Sequence, residues 1–399
     1  MRGAAGLLLA MTACPCCAPR EVAAEQPVAP SAPERPPLIA PDASSFAQVI
    51  ASPQPEAQAE GLAARLMDLC DRSDAALAEV ASRLGERLLT GASIPDTAEI
   101  AFEIRAAGAP YVWPRAWSLS GGVIDDEDAT RRARAWLDAI PRYGQRRCGA
   151  ARVHADTDAA VLLLSDVVAD VAPLSSRART GQWLTFDAKL LVPATAAKLV
   201  LLGPRGAPKP VPTQLAQNSA RARFAASEPG PWLVQLLADV SVGPRPVAEA
   251  MFFADVPPPQ GYEPHPAPGE SQRTDEPEVG LLDMVNAARV SEHLAPLARS
   301  PALDAIARAH AEAMKARGVL GHDVGQGGAS ERLAAAGLSF SGFGENIARA
   351  QSAARAHRVI WASPSHRGNV IEPRFAQLGV GVARDGGTLW VCELFATRQ

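Results

Sequence analysis

Two proline-rich stretches set the limits on how this chain can fold. The first runs from residue 18 to about 55, with Pro27, Pro30, Pro33, Pro36, Pro37 and Pro41 set among Ala, Glu and Ser. The second runs from Pro257-Pro258-Pro259 to Pro277. Proline fixes φ and removes a backbone donor, and such stretches bury too little apolar surface to fold, so both read as boundaries. They divide the 399 residues into a middle body and a C-terminal domain. Hydrophobic residues make up 47% and charged residues 21%, which excludes wholesale disorder. The longest apolar stretch is N-terminal and falls far short of the roughly 20 residues a spanning helix needs. A net charge of -4 without a basic stripe argues against a nucleic-acid partner. The basic residues are nearly all Arg, with Lys at 189, 198, 209 and 315, a compositional bias rather than a functional signal.

The N-terminus reads as an export signal over residues 1–13, with Arg2 as the positive region and Ala4 to Met11 as the apolar run. Met11-Thr12-Ala13-Cys14 resembles a bacterial lipobox, which implies lipidation at Cys14. Residues 14–55 would then be a lipid anchor and Pro/Ala-rich tether that lifts the folded part off the membrane. The alternative is an ordinary signal peptide cleaved nearby, with Cys14, Cys16 and Cys17 incidental. Both readings place the protein outside the cytoplasm, as an envelope-anchored lipoprotein or a secreted protein, where disulfides form. Cys70, at a helix end, and Cys148, at a strand start, make a plausible pair, whose bond would contribute on the order of 3–4 kcal/mol. Cys392 is expected to remain a buried free thiol.

The C-terminal domain, residues 278–399, carries the clearest motifs. A helix begins at Glu278, and a second starts with Ser300 and Pro301 as its N-terminal signals. The second helix has the stripe Leu303, Ile306, Ala307, His310 and Met314 and a Gly318 cap. Gly321-His322-Asp323, a Gly-rich loop, a short helix around Glu331, Gly344-Glu345-Asn346 and a helix through Trp361 follow. Ser363-Pro364-Ser365-His366-Arg367 and a hairpin from Leu378-Gly379-Val380-Gly381-Val382 to Phe395 close the domain.

This order of motifs, with Asn286-Ala287-Ala288-Arg289, resembles the bacterial form of the CAP superfamily, also called SCP or PR-1-like. The resemblance implies an α-β-α sandwich and a cleft of two His and two acidic residues. By motif, His322 and His366 match the histidines and Glu345 one acid; Glu331 is the candidate for the second, at a poorly matching spacing. Two imidazoles and a carboxylate suit a divalent metal such as Zn²⁺, with an open position for water. They could equally position a general base, or hold loops together through hydrogen bonds. His310 reads as a core residue of its helix, His357 and His293 as solvated helix-face residues, and Trp361 and Trp390 as core aromatics. No Gly-x-Ser-x-Gly elbow, phosphate loop or dinucleotide fingerprint occurs.

In the middle body, residues 171–256 alternate in short runs separated by turn signals, which suggests an immunoglobulin-like β-sandwich acting as a spacer. Residues 56–170 repeat features of the C-terminal domain at a nearly constant offset. Ala76-Leu77 reads like Ala302-Leu303, Gly108 like Gly337, and Cys148-Gly149 like Leu378-Gly379. The region reads as a mixed α/β domain and a degenerate CAP-like copy, with Arg115 near the place of Gly-Glu-Asn. The expected fold is therefore α+β, with residues 257–277 as linker between sandwich and CAP domain. The expected function is a ligand-binding or structural module of the cell envelope, a monomer engaging a lipid, glycan or peptide through its cleft. The alternative is a metal-assisted, peptidase-like hydrolase using the same residues.

Overall fold

The computed structural model describes residues 46–241, 243–271 and 276–398. The export signal, Cys14 and the first part of the tether lie outside these residues. The chain is already folded from residue 46, inside the expected tether. Phe46 is buried against Phe102 and Phe253, and β1 (Val49–Ile50) pairs with a later strand. Within the second Pro-rich stretch Ala267 is buried and the Pro268 carbonyl meets a side chain of a later helix, while most of the described residues around them are exposed.

The first unit contains α1 (Gly61–Met67), β2 (Arg72–Ser73), α2 (Ala75–Leu89), α3 (Thr97–Ala106), β3 (Arg115–Ser120), α4 (Asp126–Asp138), β4 (Gln145–His154) and β5 (Asp158–Val167). Asp74 caps α2 by accepting the Leu77 N–H at 3.0 Å, and Leu77, Val80, Ala81 and Leu84 recur at helical spacing on its buried face. The sheet order is β2-β4-β5-β3, with β2 parallel to β4 and the remaining pairs antiparallel. The helices α1 and α4 cover one face, and α2 and α3 the other. Cys70 and Cys148 form the expected disulfide, with Cα atoms 6.0 Å apart.

Ten short strands follow. They are β6 (Ala169–Val171), β7 (Leu174–Ser175), β8 (Arg177–Ala178), β9 (Trp183–Leu190), β10 (Ala196–Leu202), β11 (Lys209–Val211), β12 (Thr213–Ala216), β13 (Ser219–Ala225), β14 (Gly230–Val240) and β15 (Gly243–Ala254). They form two sheets, β11-β10-β14-β15-β8 and β12-β13-β9-β6, while β7 pairs with β1. Alternate residues such as Leu184, Phe186, Ala188 and Leu190 on β9 point into the shared core, as the two-residue strand period requires.

The last unit contains α5 (Pro277–Ser291), β16 (Ala298–Arg299), α6 (Pro301–Arg317), α7 (Ala329–Ala335), β17 (Phe343–Ala350), α8 (Ala353–Ala362), α9 (Pro364–Val370), β18 (Gln377–Asp385) and β19 (Thr388–Ala396). Its sheet order is β16-β18-β19-β17, again with one parallel pair, β16 with β18, followed by an antiparallel hairpin. The helices α5 and α8 cover one face, and α6 and α7 the other. Trp390 is buried, and Trp361 is half-buried under Arg367. His357 differs from expectation: it is fully buried, because the linker lies over α8 and the Pro268 carbonyl sits 3.0 Å from its Nε2. His293 is exposed, at φ 60°. The described residues thus form a mixed α+β chain, and no described helix is long and apolar enough to cross a membrane.

Candidate functional site

The site is built where α6 ends. Gly318 adopts φ 64°, a left-handed cap that reverses the chain and sends Gly321-His322 back past the helix. There the buried His310, on the apolar stripe of α6, places Nε2 3.0 Å from the Gly321 carbonyl. The Asp323 carboxylate then accepts the N–H groups of Gly325 at 2.7 Å, Gln326 at 3.2 Å and Gly327 at 3.1 Å. This Asx turn fixes the Gly-rich loop, and Val324 within it is buried in the core cluster that the α6 stripe forms.

Glu345 lies on β17 and is 8% exposed. Its Oε1 is 2.8 Å from His322 Nδ1, and its Oε2 accepts from the Arg332 guanidinium and lies 3.4 Å from Cys392 Sγ. Arg332 also donates to the carbonyls of His322 and Gly327, both at 2.7 Å, so one side chain ties loop, strand and α7 together. His310 Nε2 stands 4.0 Å from Glu345 Oε1. Burial alone would raise the Glu345 carboxyl, but the hydrogen bond and charge of His322, with the Arg332 charge, bring it down to about 2. Glu345 is therefore a carboxylate throughout the physiological range.

The next residue, Asn346, points to the opposite face of the sheet. Its amide donates to the His366 carbonyl at 3.2 Å and to Glu393 Oε2 at 3.1 Å, and Asn369 donates to its Oδ1 at 2.9 Å. Gly344 is required by close approach, since a Cβ there would fall 2.7 Å from Asn369 Oδ1. The Gly-Glu-Asn motif thus works on both faces at once. His366, on α9, is 6% exposed with an unpartnered Nδ1, and burial, followed by the charge of His322, brings it down to about 3. Glu393 is fully buried and pushed up to about 7 by that burial. Cys392 is a buried free thiol whose pKa burial raises well above the ordinary range.

Of the four residues matched by motif, His322 and Glu345 are in direct contact. His366 approaches from α9, close enough for its ring to feel the His322 charge, but it makes no hydrogen bond to the pair. Glu331 is exposed on the first turn of α7, and its neighbour Arg332 reaches the carboxylate instead. Nothing in the sequence separates Arg332 from surface arginines, which make up most of the basic residues. Gln235 of the sandwich is also missed by sequence: its Oε1 accepts the Ser365 N–H at 3.1 Å and its Nε2 lies 3.3 Å from Ser363 Oγ. The tip of the β14–β15 hairpin borders the site, since a Cβ on Gly243 would stand 3.3 Å from His322 Cβ.

The arrangement orients the His322 ring through Nδ1 and leaves Nε2 for a ligand or a proton, with the side chain 19% exposed. Among the described residues, no group of three or more His, Cys, Asp or Glu side chains is disposed to hold a metal ion. The physical reason is at Glu345: both oxygens are engaged, and a guanidinium stands where a cation would gain most. A divalent ion at this carboxylate would have to displace Arg332, so the donor set as folded does not fit one.

These features define a class. Residues 282–394 match the sequence model of the CAP family, described as the cysteine-rich secretory protein family, and this C-terminal region is a bacterial CAP superfamily domain. The chain is 30% identical over 115 residues to the uncharacterized protein YkwD of Bacillus subtilis (strain 168), a match covering 28% of this chain and 44% of that protein. It therefore spans less than half the length of this curated relative. Among solved structures, the chain is similar to an outer surface protein from Borrelia burgdorferi, at 19% identity and TM-score 0.30, covering 31% of this chain and 95% of that one. It is also similar to an extracellular protein containing an SCP domain from Bacillus anthracis strain Ames, at 18% identity and TM-score 0.29, covering 58% and 83%.

Proposed function

We propose that this protein is an exported module of the bacterial envelope, lipid-anchored at Cys14, whose CAP domain binds an envelope lipid, glycan or peptide. In this reading His322, Glu345 and His366 form a recognition site rather than a hydrolytic one. The observation that carries it is the closed state of Glu345, whose carboxylate is held by His322 on one oxygen and Arg332 on the other. A carboxylate so engaged orients an imidazole but takes no proton near neutral pH. No described nucleophile is poised beside that imidazole either. Ser365 Oγ faces Ser363 Oγ at 3.4 Å, and the Cys392 thiol is buried and protonated. The alternative, a metal-assisted hydrolase, requires Arg332 to leave Glu345.

The test is turnover. Purified protein, with and without added Zn²⁺, should hydrolyse no member of a peptide and ester panel in a His322-dependent manner. Hydrolysis in wild type that disappears in His322→Ala would replace the binding reading with the hydrolytic one. For the anchor, a lipid precursor should label wild type and leave Cys14→Ser unlabelled; equal labelling would remove the lipoprotein.

We infer further that residues 56–170 are a degenerate copy of the CAP fold and that residues 171–256 are an immunoglobulin-like spacer between the copies. Support for the copy is topological: each unit has one parallel edge pair, one hairpin and a returning strand, in the same order. The start of each is fastened alike, by Asp71 and Asp74 N–H to Arg146 and Cys148 carbonyls, and by Ala298 and Ser300 N–H to Ala376 and Leu378 carbonyls. Gly149 pairs with Leu163, which pairs with Ala116; Gly379 pairs with Leu394, which pairs with Glu345. Ala116 therefore stands where the carboxylate would be, which makes the first copy a scaffold. An experimental structure with a strand order other than β2-β4-β5-β3 in this region would refute the copy.

A further inference from the structure

The sheet of the first unit ends on an open strand. In the order β2-β4-β5-β3, β3 lies outermost, and none of its residues is buried, whereas nearly all of β5 beside it is. Ser120 is exposed, and Val123, just beyond the strand, is 89% exposed, so this end of the edge faces solvent.

The ladder decides which backbone groups that edge presents. The Gly121 N–H donates to the Asp158 carbonyl at 3.0 Å, next in register after Ser120 opposite Ala159, so Gly121 faces β5. Backbone groups alternate sides along a strand, so Trp117 and Leu119 also face β5, and Ala116, Ser118 and Ser120 turn outwards. The far side of the sheet agrees. The Arg146 and Cys148 carbonyls go to Asp71 and Asp74, which leaves Gly149 facing β5 and Leu162 facing Trp117. Among the described residues, the outward N–H and C=O groups of Ala116, Ser118 and Ser120 have no hydrogen-bond partner.

The C-terminal sheet shows what closes such an edge. Its outermost strand, β17, is buried from Glu345 to Ala348, and Asn369 of α9 donates to the Glu345 carbonyl at 3.2 Å. Two helices, α8 and α9, stand between β17 and β18, but α4 alone stands between β3 and β4, so β3 has no counterpart of α9. The strand also lacks the defences that edges carry against pairing: it has no Lys, no Pro and no bulge, and Arg115 is its one charged residue.

We propose that β3 pairs antiparallel with β3 of a second copy of this chain, joining the two sheets into one across a two-fold axis. The strand is complementary to itself. With Ser118 opposite Ser118 of the second copy, Ala116 meets Ser120, and the outward N–H and C=O groups satisfy one another. Trp117 then lies against Leu119 of the second copy, and both side chains already pack on the apolar layer under α1 and α4. Arg115 falls opposite Gly121, so no like charges meet. The expected monomer would thus become a symmetric dimer, without involvement of the His322 cleft.

The experiment uses the full chain carrying Cys14→Ser, Cys16→Ser and Cys17→Ser, so that neither a lipid nor an N-terminal thiol joins chains. Cys70 is bonded to Cys148, and Cys392 is buried. Sedimentation equilibrium over the micromolar range should find a dimer. Ser118→Pro removes an outward donor without touching the ladder to β5, and should weaken dimerisation about tenfold or more. Where circular dichroism finds that variant unfolded, Ser118→Lys, which sets two ammonium groups face to face, replaces it. Thiol linkage reads the register. Under copper-phenanthroline oxidation, Ser118→Cys should give a reducible dimer on a denaturing gel, since directly opposed residues have Cα atoms about 5.5 Å apart. Ser120→Cys should not, because its two copies would lie roughly 13 Å apart along the strands. A monomer at every concentration, a dimer indifferent to the change at Ser118, or linkage through Ser120→Cys rather than Ser118→Cys overturns the proposal.

Discussion

At the scale of single residues, Glu345 concentrates the energetics of the CAP domain. It is almost fully buried, and its two oxygens hold a histidine and an arginine from different segments. Removing one member of a buried ion pair leaves the other charge uncompensated, which costs more than the pair itself is worth. Glu345→Gln should therefore destabilise by about 3–5 kcal/mol, and adding Arg332→Met should recover part of that loss, as read by urea unfolding. A double variant as unstable as the sum of the singles would mean the two side chains do not interact. His366 and Glu393 set opposite pH dependences. The folded His366 has a pKa near 3 against an ordinary value of 6.5, so its contribution is present above about 6.5 and falls as the pH drops towards 3. Glu393 is raised to about 7 from 4.5, so its contribution is present below about 4.5 and is lost as the pH rises through 7. Unfolding free energies measured between pH 4 and 8 should lose their acid-side slope in His366→Gln and their neutral-side slope in Glu393→Gln. Unchanged slopes would show that neither group titrates differently on folding.

At the scale of elements, two glycines govern how closely helix and sheet approach. A Cβ at Gly149 would lie 1.9 Å from the Ala78 nitrogen on α2, and one at Gly379 would lie 2.3 Å from the Leu303 carbonyl carbon on α6. Both obstacles are backbone and cannot rotate away. Gly149→Ala and Gly379→Ala should each cost about 3 kcal/mol or more, the upper range for overpacking. Gly368→Ala, in α9 with open space around it, should be neutral or gain a few tenths of a kcal/mol, roughly the helix advantage of Ala. Thermal unfolding of the three variants checks the contrast. Much of this architecture is legible in the sequence, because it rests on local signals. Ser300-Pro301 and Gly318 bound α6 as expected, and alternation marks β9 and β13. The Gly-His and Gly-Glu-Asn segments are also legible as motifs, and their His322 and Glu345 lie in contact. The parts that were not legible depend on which surface another segment covers. His357 has the neighbours of a solvated residue and is buried by the linker. Arg332 has the composition of a surface residue and is buried by Glu345, while the exposed Glu331 beside it has the charge that the motif asks for. Gln235 carries no local signal at all, since its partners lie more than a hundred residues away.

At the scale of the whole molecule, the sandwich reaches both flanking units. Glu249 pairs with Arg105 of the first at 2.9 Å, and Gln235 bonds to Glu249 at 2.7 Å while accepting the Ser365 N–H of α9. This short relay places one sandwich strand pair against His366's helix. Gln235→Ala should release the Ser365 amide, raising its hydrogen-exchange rate severalfold while the amides of β18 and β19 keep theirs. Unaltered exchange at Ser365 would mean that α9 is held by its apolar contacts alone.

The disulfide has a consequence of another kind. Cys70 and Cys148 are 78 residues apart and join the end of the first helix to the start of the central hairpin. The exposed loops around Gly91 and Gly121-Gly122 lie between them. A protease that cleaves any of these loops therefore severs the polypeptide without separating it. Such a nicked molecule would run as one band on a non-reducing gel and as two after reduction, and everything C-terminal to the cut would stay attached to whatever holds the N-terminus.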